Sequence, residues 1–176
     1  KNTLATVQSL AMQTMRHADS LQDFIGKFQA RLLAVARAHD LLTRRHWENV
    51  PLGALAAEVL APVTGAVQPR VTIDGPPFDL SPRAALSMTM ALSELATNAV
   101  KYGALSSENG TLSLRWNLRQ EPDDGATLDL EWQEREGPSV TPPTRRGFGA
   151  RLMERCIEAD LRGVFDLVFE PGGVRC

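Results

Sequence analysis

Cysteine is nearly absent from this chain: Cys156 and Cys176 are its two thiols, and neither belongs to a CxxC or Cys/His cluster. That excludes a disulfide framework and a zinc site of the usual spacing, and reads as two free thiols. The three histidines, His17, His39 and His46, are too scattered for metal-ligand spacing. A dominant charge of one sign is missing as well. Nineteen basic and twenty-one acidic residues are interspersed, giving a net charge of -2 with no basic stripe, so nucleic-acid binding has little support. The longest apolar runs, such as LGALAAEVLAPV, are too short to span a bilayer. The N-terminal KNTLATVQSL puts polar residues where a signal peptide would need an apolar stretch. No internal repeat is visible. What is present is a hydrophobic content of 43% over 176 residues, enough for one ordinary domain or a small domain with a helical appendage.

Residues 1 to about 45 read as two amphipathic helices. The first carries Leu4, Val7, Leu10, Ala11 and Met15. Ser20 to Asp23 then forms a capping-box signal. The second helix carries Leu21, Phe24, Ile25, Phe28, Leu32, Val35, Ala36, Leu41 and Leu42. Such a hairpin needs a partner hairpin, the following domain, or both to bury its stripes. A polar connector holding Trp47 leads to a short helix, Leu52 to Leu60, ended by Pro62, and to a strand at Arg70–Ile73. Ser81-Pro82 is a helix start signal. GTLSLRWNLR (110–119) and ATLDLEW (126–132) alternate and read as a β-hairpin about the turn 121–125. A helix is expected over 147–159 and a strand over VFDLVF (164–169), and one further strand could begin at GGVRC. The class is α+β, with a two-helix hairpin ahead of a mixed sheet that has its helices on one face.

The helix after Ser81 ends in ELATNAVKYGALS. Leu92, Leu95, Ala96, Ala99 and Val100 recur at helical spacing and would face a core. Glu94, Asn98 and Lys101 stand at i, i+4 and i+7 on another face. One reading is a solvated face with a short ion-pair ladder. The other is a site for a metal and a polyphosphate, since a carboxylate and an amide oxygen can hold Mg2+ or its waters and an ammonium can neutralise phosphate. Farther on, a strand ends in Glu134 with Gly137 after it. About ten residues later Gly147 and Gly149 flank Phe148 where a helix begins, beside Arg145 and Arg146. Backbone N–H groups at such a helix start can bind an anion.

The order of these blocks resembles the ATP-binding domain shared by histidine kinases, gyrase-type topoisomerases and Hsp90-type chaperones. Glu94-x-x-x-Asn98 matches its N box, Glu134 with Gly137 its first G box, and Gly147-Phe148-Gly149 its second, with a short lid between the two. ELATNAVKYGALS, LEWQE with its following GP, and RRGFGARLMER narrow the resemblance to the HWE subfamily of sensor histidine kinases, and KNTLATVQSLA and FQARLLAVARAHDLL resemble its two dimerisation helices. The chain departs from that pattern at Ser93, where the subfamily has a His, and at Glu136, where relatives commonly have Gly.

The resemblance implies a dimerisation and phosphotransfer hairpin over 1–46 and a catalytic ATP-binding domain over 47–176, with its C-terminal strand cut short. It places the phosphoacceptor His three residues before Lys1-Asn2, upstream of this chain, in a longer parent protein. Asn98 would coordinate Mg2+, and Glu94 would serve as a polarising base or water holder. Lys101 would meet phosphate and Tyr102 would pack near the nucleotide or cover the helix end. Glu134 would accept the adenine amino group, with Trp132 bracing that pocket or simply filling core. Gly137, Gly147, Phe148 and Gly149 would bind the nucleotide, Gly147 and Gly149 letting lid backbone approach the phosphates, and Arg146 with Arg145 would contact the γ-phosphate. His39 would pack the bundle or face a partner. The activity implied is ATP-dependent phosphorylation of a histidine and transfer to an aspartate of a response regulator, in a bacterial, cytoplasmic homodimer with ATP and Mg2+ as cofactors and no nucleic-acid or membrane contact. A docking module with a decayed nucleotide site and a serine kinase of the anti-sigma-factor type are the alternatives.

Overall fold

A computed structural model describes residues 3–16, 18, 20–44, 46, 48–64, 70–120, 126–140 and 148–176. Two helices open the chain, α1 (Thr3–Met15) and α2 (Leu21–Arg44). The expected cap is present: Ser20 Oγ accepts the Asp23 N–H at 3.1 Å. A short strand β1 (Val50–Pro51) leads into α3 (Leu52–Thr64), followed by β2 (Val71–Asp74), β3 (Asp79–Leu80) and α4 (Pro82–Lys101). A 3-10 turn (Ala104–Ser106) precedes the long hairpin β4 (Thr111–Gln120) and β5 (Ala126–Arg135). Helix α5 (Phe148–Arg155) runs on into a π turn (Cys156–Asp160), and β6 (Val168–Glu170) and β7 (Gly173–Arg175) follow.

The sheet has the order β2-β4-β5-β7-β6, with β2 parallel to β4 and the other pairs antiparallel, so the fold is α+β with a mixed sheet. Alternation sets its inner face. Leu112, Leu114 and Trp116 of β4 and Trp132 of β5 are buried against Leu55, Leu60, Leu92 and Leu95 of α3 and α4. A second, smaller cluster joins the hairpin to the other side of α4. In it Leu10 and Val35 meet Met90, Leu152 and Cys156. Helix α4 is therefore buried on two sides, one toward the sheet and one toward the hairpin.

Three expectations need correction, and a fourth is met. Helix α3 does not stop before Pro62 but runs to Thr64, because a proline in a last turn removes only one backbone bond and Val63 still reaches the core. The strand expected from Val164 begins at Val168. Arg162 turns the backbone at φ 57, Val164 is 95% exposed, and the ladder pairs only Val168–Glu170 with Gly173–Arg175. The strand expected to begin at GGVRC does form as β7, and Cys176 continues it by exchanging two backbone bonds with Trp132 at 2.8 and 2.9 Å. The hairpin stripes also divide. Leu10, Val35, Leu41 and Leu42 are buried, whereas Leu4, Met15, Leu21, Ile25 and Leu32 are exposed. The inward seam of α2 runs instead through Phe24, Phe28, Arg31, Val35, Ala38 and Leu42, and that of α1 through Leu10 and Thr14. The connector's Trp47, the turn 121–125 and His17 lie outside the described residues.

Candidate functional site

Helix α4 presents the polar row. Pro82 occupies its first turn and Ser81 Oγ caps it, accepting the Ala84 N–H at 3.3 Å, which fixes where the helix starts and so which residues face where. Leu92, Leu95, Ala96 and Ala99 are buried as expected. Val100 is not: it lies about 80° round the helix from Leu92 and is 41% exposed. On the opposite side Glu94, Asn98, Lys101 and Tyr102 line one cleft, closed by Lys27 and Arg31 of α2. Tyr102 is 71% exposed at its rim, so it does not cover the helix end as a half-buried ring.

No ladder runs along the α4 row, because the partner of Glu94 comes from the hairpin. Arg31 Nε lies 2.5 Å from Glu94 Oε1 and Nη2 lies 3.2 Å from Oε2, a two-point fork on the carboxylate. Arg31 Nη1 donates to Thr14 Oγ1 at 2.9 Å, and Thr14 in turn donates to the Leu10 carbonyl at 2.7 Å. Arg31 and Thr14 are both buried. A buried cation needs a partner and satisfied hydrogen bonds, and this triad supplies both across α1, α2 and α4. The role of Arg31 was not legible in the α4 motif. Its signal is a charged residue at a heptad position flanked by Phe28 and Val35, with Thr14 breaking the α1 seam in the same way.

The second group of residues gathers at the C-terminal end of α4. Glu134 takes an inward position on β5, two residues beyond Trp132, and both are buried. Its Oε2 accepts the Ala104 N–H at 2.8 Å and its Oε1 accepts Trp132 Nε1–H at 3.0 Å. Trp132 is thus both core and brace. Burial pushes the Glu134 carboxyl above its ordinary range, and the two N–H donors pull the other way. Gly137 lies against the same turn, where a Cβ would come 2.7 Å from Ala104 Cα. Glu136, between them, holds a left-handed φ of 57, the conformation that a glycine takes without strain. Its carbonyl accepts Ser107 Oγ–H at 3.0 Å, and Arg70 Nη1 donates to the carbonyls of Ser107 at 2.5 Å and Gly110 at 3.0 Å. Ser107 and Arg70 therefore hold this turn, a role that no sequence motif signalled.

Helix α5 brings the third block to the row. Phe148 begins it, and at Gly149 a Cβ would meet Glu94 Oε2 at 2.8 Å and Asn98 Nδ2 at 3.7 Å. Arg145, Arg146 and Gly147 lie outside the described residues. Glu134 and Gly137 do not line the α2–α4 cleft; they pack against Ala104, beyond the C-terminal end of α4. Among the described residues no three acidic, histidine or cysteine side chains gather as a metal cage. The oxygen donors at the row are instead an exposed amide, Asn98, and the Glu94 carboxylate, with the exposed Lys101 beside them. That set fits Mg2+, which keeps waters and takes most of its remaining ligands from phosphates. The glycine packing at α5 fits a backbone that must come close to a ligand. Elsewhere, His39 Nδ1 lies 3.4 Å from Thr43 Oγ1 one turn along α2, and burial with the Asp166 charge pushes the Cys176 thiol up to about 12, which makes it a poor nucleophile.

Residues 1–77 match the sequence profile of the family described as HWE histidine kinase. Over 174 residues, 99% of the chain, the sequence is 40% identical to a blue-light-activated histidine kinase of Brucella anthropi and 36% identical to one of Brucella ovis. The chain spans 35% of the length of each of these relatives. Among solved structures, the histidine kinase domain of the blue-light-activated histidine kinase of Erythrobacter litoralis superposes with a TM-score of 0.62 at 13% identity, covering 97% of this chain and 91% of that one. A longer structure of that kinase gives 0.67 at 14% identity, covering 98% and 57%. The structural likeness is one of fold, the sequence likeness one of family. No helix among the described residues is long and apolar enough to cross a membrane. Residues 1–77 thus carry the HWE histidine kinase domain, and the whole chain is similar in sequence to histidine kinases.

Proposed function

We propose that this chain is the kinase core of a bacterial sensor histidine kinase, working in the cytoplasm, that binds Mg-ATP and passes its γ-phosphoryl to a histidine and then to an aspartate of a response regulator. The observation that carries this reading is the meeting of the three motif blocks around α4. The row Glu94, Asn98 and Lys101 lines one cleft, Gly149 of α5 abuts Glu94 and Asn98, and Glu134 with Gly137 closes on the helix's C-terminal end.

In this reading residues 47–176 form the ATP-binding domain and 1–46 the dimerisation and phosphotransfer hairpin. Glu134 accepts the adenine amino group with its free lone pairs, held in place by Ala104 and Trp132. Tyr102 borders the nucleotide from the rim of the cleft. Asn98 is the direct ligand for Mg2+, and Glu94 orients a water or the attacking group. Lys101 offsets phosphate charge, and Gly149, with Arg146, Gly147 and Phe148 before it, lets backbone N–H groups approach the phosphates. Bound Mg2+ would neutralise charge on the phosphate oxygens. The protein contributes position and electrostatics, and the hairpin presents the imidazole, a competent nucleophile near neutral pH. The exposed row Leu21, Ile25 and Leu32 on α2 fits a homodimer through the hairpins.

The test is phosphorylation with γ-labelled ATP of this chain extended upstream through a histidine at the family's phosphoacceptor position, followed by mixing with a receiver domain. Acid-labile, alkali-stable label that moves to the receiver aspartate is the expected result. Acid-stable label would mark a serine kinase, and no label with no nucleotide bound would mark a docking module.

A further inference from the structure

We propose that Arg31 is a positioning residue that competes with magnesium-bound nucleotide for Glu94, so that docking of the α1–α2 hairpin and binding of Mg-nucleotide oppose each other; this rests on the nucleotide-site reading above. Three observations carry it. First, Arg31 occupies both Glu94 oxygens from a segment 63 residues away, and Thr14 fixes its remaining nitrogen. A carboxylate gripped in this way has its charge already neutralised and one lone pair on each oxygen taken, so it is a weaker partner for a divalent cation or for that cation's waters.

Second, Arg31 is buried where the hairpin meets α4. It sits in the α2 seam with Val35, which is packed with Leu10 against Met90, Leu152 and Cys156. Moving this part of the hairpin frees Glu94. Around Arg31 that docking surface is small, Leu10 and Val35 against Met90, Leu152 and Cys156, whereas Leu41 and Leu42 farther along α2 are set in the much larger sheet core, so a ligand can shift the Arg31 end of the hairpin while its far end stays anchored. Third, the same helix serves both sides. Leu152 and Cys156 hold the hairpin, whereas Gly149, one turn earlier, lies so near Glu94 that an added Cβ would meet its Oε2 at 2.8 Å. A nucleotide that opens the first turn of α5 disturbs the hairpin seat, and the reverse holds by linkage.

The experiment is calorimetry of ADP with Mg2+ and of ADP with a chelator, on the full chain, for the native sequence, Arg31→Met, Arg31→Lys and Thr14→Val. Arg31→Met is expected to tighten Mg-ADP about tenfold and to leave metal-free ADP within about twofold. The metal-specific part is the readout that a merely structural role would not move. Thr14→Val keeps both charges and should tighten Mg-ADP in the same direction by less; Arg31→Lys, which keeps charge without the fork, should fall between. In the native chain, saturating Mg-ADP should speed hydrogen exchange of α1 and α2 amides around Leu10 and Val35, a result that needs no variant to fold. Native binding with no tightening in a folded Arg31→Met, or slower exchange in the hairpin, overturns the inference alone. Failure of the native chain and every variant to bind Mg-ADP overturns the nucleotide-site reading and this inference together.

Discussion

The Ala104 N–H, just past the end of α4, donates to Glu134 Oε2 on β5 at 2.8 Å, across 30 residues of sequence. This bond ties the C-terminal end of α4 to the buried acid of β5. With Trp132 Nε1–H on the other oxygen, it requires Glu134 to present two acceptors.

Glu134→Gln should therefore cost about 1–3 kcal/mol, because the new NH2 must face one of the two donors and leave it unsatisfied. The cost is expected to vary with pH. The native carboxyl titrates above its ordinary value of 4.5 because it is buried, so the native state holds the proton more readily than the unfolded chain. Its contribution is fully present below 4.5 and is lost as pH rises through the raised native value. Urea midpoints at several pH values should show the native protein losing ground to Glu134→Gln as pH climbs through that window. A difference that stays constant or widens would contradict this.

Glu136→Gly should stabilise the protein by about 1 kcal/mol, by relieving a non-glycine residue of a left-handed backbone. The bond from Ser107 Oγ–H goes to the residue 136 carbonyl and survives the change. Thermal melts read this directly, and a lower melting temperature in the variant would show that the Glu136 side chain itself stabilises the turn.

Leu21, Ile25 and Leu32 lie within roughly 40° of one another around α2 and are 75%, 38% and 37% exposed. Paired substitution Leu21→Glu and Leu32→Glu should leave the folded chain intact and shift it from dimer to monomer in sedimentation equilibrium. A native chain that is already monomeric, or a variant that stays dimeric, would remove this face as the dimer contact.

Much of the layout follows from local signals. Ser81-Pro82 marks the start of α4, and the alternation in TLSLRW and LDLEW marks both the β-hairpin and its buried face. Alternation says which side faces in, not where pairing stops, which is why β6 starts later than VFDLVF suggests. Proline punctuation misled at Pro62, where tertiary packing of Val63 outweighed one lost bond. At the site, the shared face of Glu94, Asn98 and Lys101 follows from helical period alone. Arg31 does not, because its partner is set by how two separate helices dock, and a charge inside an apolar heptad announces only that some partner exists. The turn held by Arg70 and Ser107 is invisible for the same reason, since both side chains donate to backbone carbonyls of other segments.

The measurement that bears most directly on the whole account is calorimetric binding of Mg-ATP and ADP to this chain beside Asn98→Ala. Saturable, Mg2+-dependent binding that falls at least about tenfold in the variant, with the fold unchanged, is the result expected for a residue that ligates the metal between helix and phosphates. Equal binding in both proteins, or none in either, would mean that the polar row of α4 is not a metal–phosphate site.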